Sequence, residues 1–377
     1  MRMNARDFGV FAVLSSLIAS LLTGCGQNAA KNSAPTPSTT LAKTAIHFPG
    51  GSVKPLAHPI TVYVADDKDP AGAGIMLANA LGYFKQLGIR IKLETFNSGA
   101  DEFNSLAANQ IDVARGLISA AFFNSYSQGL PVYLVADGGH NLPGRPYFAL
   151  VLRKSLQGRI KTYSQLKGLK IGLVSFGNVN QLYLDRALAK GHLTNHDVHL
   201  VVVDSFSDLV TAMGNGAVDG AMLVEPDIYR ATSEGIGFVF KDPTQYAPRE
   251  EASTLMFSSN FVKDTPVARR FILAYLEGVR YFDTHFVYSH QGENTVLKII
   301  SQDSGDPVSL LTHINPAGLS PYGTFSVAQV QQDENWYQQY GTVTHNVPAT
   351  KLVNLSFVKW ADKILGPYHY PKHSHQS

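Results

Sequence analysis

The sequence predicts an α/β protein that consists of two lobes, one of which is inserted into the other. Residues 60–96 form a strand, a helix and a second strand with short joins, which is typical of a βαβ unit with parallel pairing. A second α/β cycle with the same layout begins near residue 169. An apolar strand at residues 253–257 carries the chain back before a helical C-terminal part. One interrupted lobe, one inserted lobe and two crossings therefore describe the chain.

The opening unit is defined by residue type and spacing. Residues 60–65 are β-branched or apolar, which favours a buried strand. Apolar residues at helical spacing predict a helix that begins near Ala71 and ends at Gly88. Residues 89–94 then alternate between apolar and charged side chains, as a second strand does. Because ligands bind beyond the carboxyl ends of such strands, the loop at residues 66–74 is expected to lie at the mouth of a site.

The remaining elements follow from the same patterns. In the first lobe, strands are predicted at residues 113–118 and 130–136, and residues 147–152 form a strand that leads away into the second lobe. The second lobe is predicted to contain strands at residues 169–176, 198–203, 220–224 and 238–240, and helices at residues 181–190, 207–213 (with Ser207 and Asp208 as N-cap) and 227–233. Helical spacing returns at residues 271–282 and 357–365.

The N-terminus has the form of an export signal. Arg2 and Arg6 precede an uncharged run at residues 8–22, which is too short to span a bilayer as an ordinary helix. The run ends in LTGC, which resembles the lipobox of bacterial lipoproteins and implies cleavage before Cys25 and lipidation of that residue. The alternative is an ordinary secretory signal. Residues 26–58 are rich in small polar residues and proline, and they are predicted to form a flexible tether.

Composition excludes several classes of protein. Hydrophobic residues at 45% and charged residues at 16% are typical of a globular chain. The net charge of +2 gives no indication of a nucleic-acid partner. A single cysteine excludes an intramolecular disulfide and a multi-cysteine zinc site.

Enzyme signatures are also missing from the sequence. No G-x-S-x-G, H-E-x-x-H, P-loop or complete G-x-G-x-x-G motif occurs, so no catalytic residue and no cofactor is predicted. His369, His373 and His375 cluster near the C-terminus, where a polar chain end is the preferred interpretation over a metal site.

Taken in order, five segments resemble one family. They are ANALGYFKQLGIRIKLETFNSGA, LAANQIDVA, QGLPVYLVA, LKGLKIGLVSFGN and VDGAMLVEP, within a resemblance that covers about residues 59–365. The family is that of solute-binding lipoproteins of ABC importers, which includes binders of aliphatic sulfonates, taurine, nitrate and the thiamine pyrimidine precursor. It implies the type II periplasmic-binding fold, in which two α/β lobes are joined by two crossover strands and the C-terminal helices pack on the first lobe.

The resemblance also implies an organisation and a set of partners. The expected segments are a signal peptide (1–24), the lipidated cysteine and tether (25–58), lobe one (59–150 and 252–366), lobe two (151–251) and a flexible tail (367–377). The expected protein is a monomer, tethered to the extracytoplasmic face of a membrane. It would bind a small polar solute and deliver it to an ABC permease and its ATPase subunits.

The strand ends predict which residues contact the ligand. In lobe one they are Asp66, Asp67, Ala71, Gly72, Ser98, Gly99 and Ser119. Small residues there let backbone N–H groups approach a ligand, although turn formation requires the same residue types.

In lobe two the corresponding turn contains Ser175, Gly177, Asn178 and Asn180. It can form a polar cradle, with helix capping by Asn180 as the alternative. Phe176 could stack on a planar ligand, but a core position is the preferred interpretation. Glu225 ends a strand before Pro226, as in the family, and could accept hydrogen bonds from a ligand. For Glu225 an N-cap or an interlobe salt bridge is the alternative.

Arg115 and Tyr147 are two further candidate ligand contacts, and they do not determine whether the ligand is charged. Arg115 could bind a sulfonate or carboxylate, but a surface ion pair with Asp112 or Asp101 is the preferred interpretation. Tyr147 could form a wall of the cleft or pack as a hinge residue.

Two alternative functions remain besides the importer receptor. One is an enzyme on the same fold that resembles a pyrimidine-precursor synthase, and the other is a sensory ligand-binding domain.

Overall fold

The computed structural model describes residues 44–65, 69–96, 99–248 and 250–371. The strands are β1 (Ile46–Phe48), β2 (Gly51–Val53), β3 (Ile60–Ala65), β4 (Ile89–Glu94), β5 (Val113–Leu117), β6 (Tyr133–His140), β7 (Phe148–Arg153), β8 (Lys170–Leu173), β9 (His199–Val202), β10 (Gly220–Val224), β11 (Gly237–Val239) and β12 (Glu251–Phe257). The helices are α1 (Ala73–Ala80), α2 (Tyr83–Gln86), α3 (Gly99–Ala107), α4 (Ala120–Ser127), α5 (Val179–Lys190), α6 (Phe206–Gly214), α7 (Asp227–Ser233), α8 (Thr265–Phe282), α9 (Glu293–Ser304), α10 (Val308–Leu311), α11 (Val327–Gln339), α12 (Ala349–Leu352) and α13 (Ser356–Leu365).

Two five-stranded sheets share one arrangement. In the first the strand order is β4-β3-β5-β12-β6, and β12 alone runs antiparallel to its neighbours. In the second the order is β11-β7-β10-β8-β9, and β7 is the antiparallel strand. In the first sheet β3 lies between β4 and β5, and the antiparallel β12 follows β5. In the second sheet β8 lies between β9 and β10, and the antiparallel β7 follows β10. The predicted two-lobed α/β architecture is therefore present.

The chain crosses between the sheets earlier than the sequence suggested. The expected boundary after residue 150 divides β7, which lies wholly in the second sheet with Gly220 opposite Leu152 and Val224 opposite Phe148. The first crossing is therefore the segment between β6 and β7, and the return lies between β11 and β12. Apolar character alone could not place this strand, because a buried strand looks the same in either sheet.

The opening helix is shorter and more broken than predicted. A 3₁₀ turn at Pro70–Gly72 precedes α1, and Gly82 separates α1 from α2 with a φ of +81°, a conformation that favours glycine. Two glycines allow α1 and α8 to pack closely: a Cβ at Gly278 on α8 would lie 2.1 Å from Gly74 O, and a Cβ at Gly74 on α1 would lie 2.6 Å from Tyr275 Cε2. Helices α1 and α8 thus pack backbone to backbone.

Two helix starts also differ from the prediction. Helix α5 begins at Val179, two residues before the predicted start, with Asn178 rather than Asn180 as its N-cap. Helix α6 begins at Phe206, and its N-cap is Ser205 rather than Ser207 or Asp208. Since Ser, Asn and Asp are all good N-caps, adjacent polar residues cannot be distinguished from sequence.

The described parts of the predicted tether and tail are folded. Strands β1 and β2 form a hairpin, and Gly50 N donates to Ile364 O at 2.9 Å, which ties residues 44–58 to α13. At the other end the Tyr368 hydroxyl lies 3.0 Å from the Thr284 hydroxyl, so the tail starts as packed chain. The predicted signal peptide and Cys25 lie outside the described residues. Among the described residues, no helix has both the length and the hydropathy needed to cross a membrane.

The C-terminal helices pack mainly on the first lobe, as predicted, but one segment reaches the second. Helices α8 and α13 cover the first sheet and contribute Phe271, Phe282 and Phe357 to its core. Residues 315–343 contact lobe two as well: Arg186 Nη2 on α5 lies 3.4 Å from Asp333 Oδ1 on α11. This segment therefore connects both lobes beside the crossings.

Candidate functional site

The two lobes meet directly at the carboxyl ends of β5 and β8. Ala120 N donates to Gly177 O at 2.8 Å, and Val179 N donates to Ile118 O at 3.0 Å. Ser119 and Asn178 form an isolated antiparallel bridge between these bonds. Three of the predicted residues, Ser119, Gly177 and Asn178, therefore lie together at one junction that contains a turn from each lobe.

The lobe-two turn is held by its own polar side chains. Asn178 Oδ1 accepts from Asn180 N at 3.0 Å, and Asn178 Nδ2 donates to Ser175 Oγ at 2.7 Å. Gly177 has a φ of +69°, and its N–H donates to Gln181 Oε1 at 3.0 Å. The Asn178 side-chain amide and the backbone N–H groups of Gly177 and Asn180 are thus engaged within the turn.

Two neighbours of this turn have roles other than those expected. Asn180 is fully buried and connects β8 to β10, because Val174 N donates to its Oδ1 at 3.2 Å and its Nδ2 donates to Met222 O at 3.4 Å. Asn180 is therefore an internal brace of the second sheet. Phe176 is 56% exposed, so the preferred core position was wrong and its ring is available at the surface.

A second cluster forms around Arg115 on β5. The Arg115 guanidinium pairs with the Asp69 carboxylate through Nη2, and its Nη1 donates to Ser253 Oγ at 3.0 Å. Asp69 also accepts from Ala71 N at 2.7 Å, which caps the 3₁₀ turn containing Ala71 and Gly72. A Cβ at Gly72 would lie 3.8 Å from Arg115 Nε, so the small residue leaves room for the guanidinium.

The expected surface pair of Arg115 is wrong. Arg115 is only 5% exposed, so its charge lies inside the protein, and Asp112 instead accepts from Tyr63 N at 2.9 Å. The strand pattern placed Arg115 at a strand end but could not show that β12 pairs alongside and covers it. Asp69 therefore provides a counter-charge to the buried guanidinium.

Tyr147 is a packed residue at the first crossing. It is 3% exposed, its N–H donates to Asn141 Oδ1 at 3.0 Å, and its hydroxyl lies beside Ser253. Burial raises the pKa of Tyr147 well above its usual range, although the Arg115 charge opposes this. The hydroxyl is therefore a neutral hydrogen-bonding group between the Arg115 cluster and the crossing.

Glu225 links lobe two to the C-terminal segment. Its Oε2 accepts from Tyr229 N at 2.9 Å in the first turn of α7, and its Oε1 accepts from Asn315 N at 3.2 Å and from Asn315 Nδ2 at 3.3 Å. Burial raises the pKa of Glu225 to about 7, against the lowering effect of these hydrogen bonds. Both oxygens thus have protein partners. Neither expected alternative is confirmed, because Pro226 is the N-cap of α7 and Glu225 forms no salt bridge with the described residues.

The other predicted residues occupy the edge of the site or cannot be placed. Gly99 begins α3 and is exposed, with open space around its Cα. Asp66, Asp67 and Ser98 lie outside the described residues. Their contact with a ligand stays a prediction.

Sequence reasoning missed three residues that organise the site. Asp69 was detectable, because an Asp before Pro at a helix start is a common N-cap pattern. Ser253 is a polar residue within an apolar strand, which was a weaker signal. Asn315, which also donates to Pro146 O at 3.1 Å, gave no signal, since it lies in a segment without periodicity.

Solved structures share this two-lobed fold. The ligand-binding component of an ABC-type import system from Staphylococcus aureus, with zinc bound, is 15% identical over 81% of this chain and 99% of that chain, with a TM-score of 0.66. The periplasmic aliphatic sulphonate binding protein SsuA from Escherichia coli is 18% identical over 78% and 92%, with a TM-score of 0.63. The desulfurization enzyme DSZB is 14% identical over 80% and 98%, with a TM-score of 0.56. At these identities the likeness shows the fold, which is that of periplasmic binding proteins, as predicted.

Sequence comparison gives the family. No curated protein matches the chain significantly. The family model described as NMT1/THI5 like matches residues 69–285, which is more than half of the chain and includes the second sheet, four of the five strands of the first sheet and the junction between the lobes. The chain therefore belongs to the NMT1/THI5-like family.

Proposed function

We propose that this protein is a lipid-anchored, extracytoplasmic solute-binding protein of an ABC importer, and that it captures a small polar organic solute between its lobes. The observation that carries the proposal is the junction of the β5–α4 and β8–α5 turns, where Ala120 N donates to Gly177 O. These turns follow parallel strands of different sheets, and α/β proteins bind ligands beyond such strand ends. Hinged lobes close around a solute at this position. An importer component and a sulfonate-binding protein with the same fold support this function.

The charges around Arg115 favour particular ligand classes. The guanidinium is already paired with Asp69, so a bare anion would have to compete with a carboxylate for it. A zwitterion such as taurine, or an uncharged aminopyrimidine, avoids that competition. Within the proposed range of sulfonates, taurine, nitrate and pyrimidines, we therefore expect these two classes to bind more tightly than nitrate or a simple alkanesulfonate.

A thermal-shift panel tests the function. Purified protein is heated with taurine, alkanesulfonates, nitrate, aminopyrimidines and small carboxylates. A true ligand at about 100 times its Kd should stabilise the protein by about 2.7 kcal/mol and raise its Tm measurably. Failure of every compound, and of a small-metabolite extract, to raise the Tm would contradict the proposal. Consumption of a bound compound, followed by mass spectrometry, would favour an enzyme instead.

A matched pair of variants tests whether the solute binds at the junction. Asn178→Ala removes the side chain that holds the lobe-two turn at the junction, whereas Asn215→Ala removes one that accepts from Ala217 N at 3.0 Å, before the amino end of β10. Each change removes a local turn contact and should lower stability by about 1 kcal/mol. Only Asn178→Ala should also weaken binding of the panel's best ligand, by about tenfold or more in a calorimetric titration. Equal affinities of the two variants would place the solute elsewhere.

The anchor is tested at Cys25. Replacing Cys25 by serine removes the acceptor of the thioether-linked lipid, so the protein is expected to move from the membrane fraction to the soluble fraction of its host cells. The measurement is immunoblotting of the two fractions, with incorporated radioactive palmitate as a second readout. Ser38→Ala in the proposed tether is the control and should remain in the membrane fraction. Unchanged fractionation of Cys25→Ser would refute the lipid anchor.

A further inference from the structure

A cluster of three potential metal ligands, two buried and one partly exposed, lies beside the crossings between the lobes. Asp137 and His140 are near the end of β6, and Glu251 begins β12 directly opposite His140 in the strand pairing. One ligand atom from each residue lies within 4.8 Å of the other two. Asp137 is 1% exposed and Glu251 is 7% exposed, so two carboxylates are held side by side in the protein interior.

The Asp137 carboxylate is held by hydrogen bonds, whereas one oxygen of the Glu251 carboxylate has no partner. Asp137 Oδ1 accepts from Gly139 N at 2.8 Å, Asp137 Oδ2 accepts from Ser320 N, and His140 Nδ1 lies 3.1 Å from Asp137 Oδ2. In contrast, Glu251 Oε2 is buried and has no hydrogen-bond partner. A buried carboxylate oxygen without a donor is costly unless a proton or a cation compensates it. The fixed partners of Asp137 resemble the outer hydrogen bonds that orient metal ligands.

The electrostatic environment favours a cation. The Asp137 and Glu251 carboxylates are both buried, and their oxygens lie within 4.8 Å of each other. A cation between them would compensate both charges in the protein interior. Glu250 adds a further acidic side chain near Glu251, although Gln329 Nε2 donates to both of its oxygens at 3.1 Å.

A cavity gives access to the cluster. It has a volume of about 380 Å³, and its lining includes His140 and Glu251 together with Asn141, Glu250, Ser320 and Ser326. An ion could enter through this space, and water or a small solute could occupy a coordination position that faces it. This cavity lies beside the crossings and does not include the junction residues Ser119 and Asn178.

We propose that Asp137, His140 and Glu251 bind a divalent transition-metal ion, with Zn²⁺ as the best fit. One imidazole and two carboxylates are common zinc ligands, and three protein ligands leave a position open toward the cavity. Tetrahedral ligands at about 2.1 Å from zinc lie about 3.4 Å apart, so the side chains need only a small inward movement from their present spacing. Because β6 leads into the first crossing and β12 follows the second, the ion would join the two crossings where they meet the first sheet.

Calorimetric titration of chelator-treated, full-length protein with ZnCl₂ tests the site. We expect binding of one equivalent and a rise in Tm. Glu251→Gln keeps the shape of the side chain, and His140→Ala removes the imidazole; each should weaken zinc binding by about tenfold or more. His192→Ala removes an exposed imidazole in lobe two and is the matched control, which should bind as the parent does.

The outcomes are decisive in both directions. Loss of affinity in Glu251→Gln and His140→Ala, with wild-type circular dichroism and normal affinity in His192→Ala, supports the site. Glu251→Gln keeps the proposal testable if His140→Ala does not fold. Absence of zinc binding by the parent overturns the proposal, as does equal binding by all variants, which would assign the zinc to other groups such as the C-terminal histidines. Since the readout is zinc affinity, the result is independent of which solute the protein binds.

Discussion

Replacing Arg115 by methionine is expected to lower the free energy of unfolding by about 2–3 kcal/mol. The substitution removes a guanidinium that is 5% exposed and leaves the Asp69 carboxylate and the Ser253 hydroxyl without this partner. The Asp69 side chain is 27% exposed, so solvent compensates part of its lost counter-charge, whereas the Ser253 hydroxyl is buried and loses its hydrogen bond. Urea denaturation of the ligand-free protein, followed by tryptophan fluorescence, measures the effect.

Two control variants separate the buried pair from a general effect of losing an arginine. Arg90→Met makes the same change at an exposed position on β4 of the same sheet and should alter stability by less than about 0.5 kcal/mol. Adding Asp69→Asn to Arg115→Met should recover part of the loss, because asparagine can still cap Ala71 N but carries no charge. Equal denaturation midpoints for Arg115→Met and Arg90→Met would show that the buried pair does not stabilise the fold.

Ionisation of Glu225 should lower the free energy of unfolding as the pH rises. Its pKa is raised to about 7 in the folded protein, chiefly by burial, from its ordinary value of 4.5. Between these two values the folded state binds more protons than the unfolded state, so stability falls with increasing pH. The shift corresponds to about 3 kcal/mol, which is present below the unfolded pKa and lost once the pH exceeds about 7. Unfolding free energies from urea titrations between pH 4.5 and 8 measure this loss.

The variant Glu225→Gln isolates this contribution. Glutamine cannot ionise, so the variant should lose about 3 kcal/mol less than the parent across this range, although it loses one acceptor for Tyr229 or Asn315. Burial also raises the pKa of Glu277 to about 7, and that group stays in both proteins, so only the difference between their pH profiles is informative. Glu234→Gln at the exposed C-cap of α7 is the control and should retain the parental slope. Parallel profiles for the parent and Glu225→Gln would contradict the assignment.

Local elements with a strong pattern were predictable from the sequence. Strand β3 has the predicted bounds, Ile60–Ala65, and β10 coincides with the predicted Gly220–Val224. Both strands depend on short runs of apolar or β-branched residues bounded by turn residues, which is local information. Where a boundary depended on strand pairing, as for β6, the sequence was less informative. Residues 137–140 carry a polar and glycine-rich sequence but extend β6 because they pair with β12.

The same distinction between local patterns and long-range contacts applies to the candidate site. The turn with Ser175, Gly177 and Asn178 was located from its position between a strand and a helix, and the structure brings it against Ser119. That partner comes from the other sheet, and no local pattern indicates it. Glu225 was correctly placed at a strand end, but its bonds to Asn315 depend on a segment 90 residues further along the chain.

By itself, the sequence determined the class of fold, the order of its elements and the resemblance to a family of solute-binding proteins. Periodicity, turn residues and ordered motifs are properties of neighbouring residues, so they can be read along the chain. Only the tertiary structure decided that Arg115 is buried against Asp69 and that Asp137, His140 and Glu251 meet at the crossings. These contacts depend on the return of β12 from lobe two and its pairing with β5 and β6. The sequence of an apolar strand does not show which strands it will pair with.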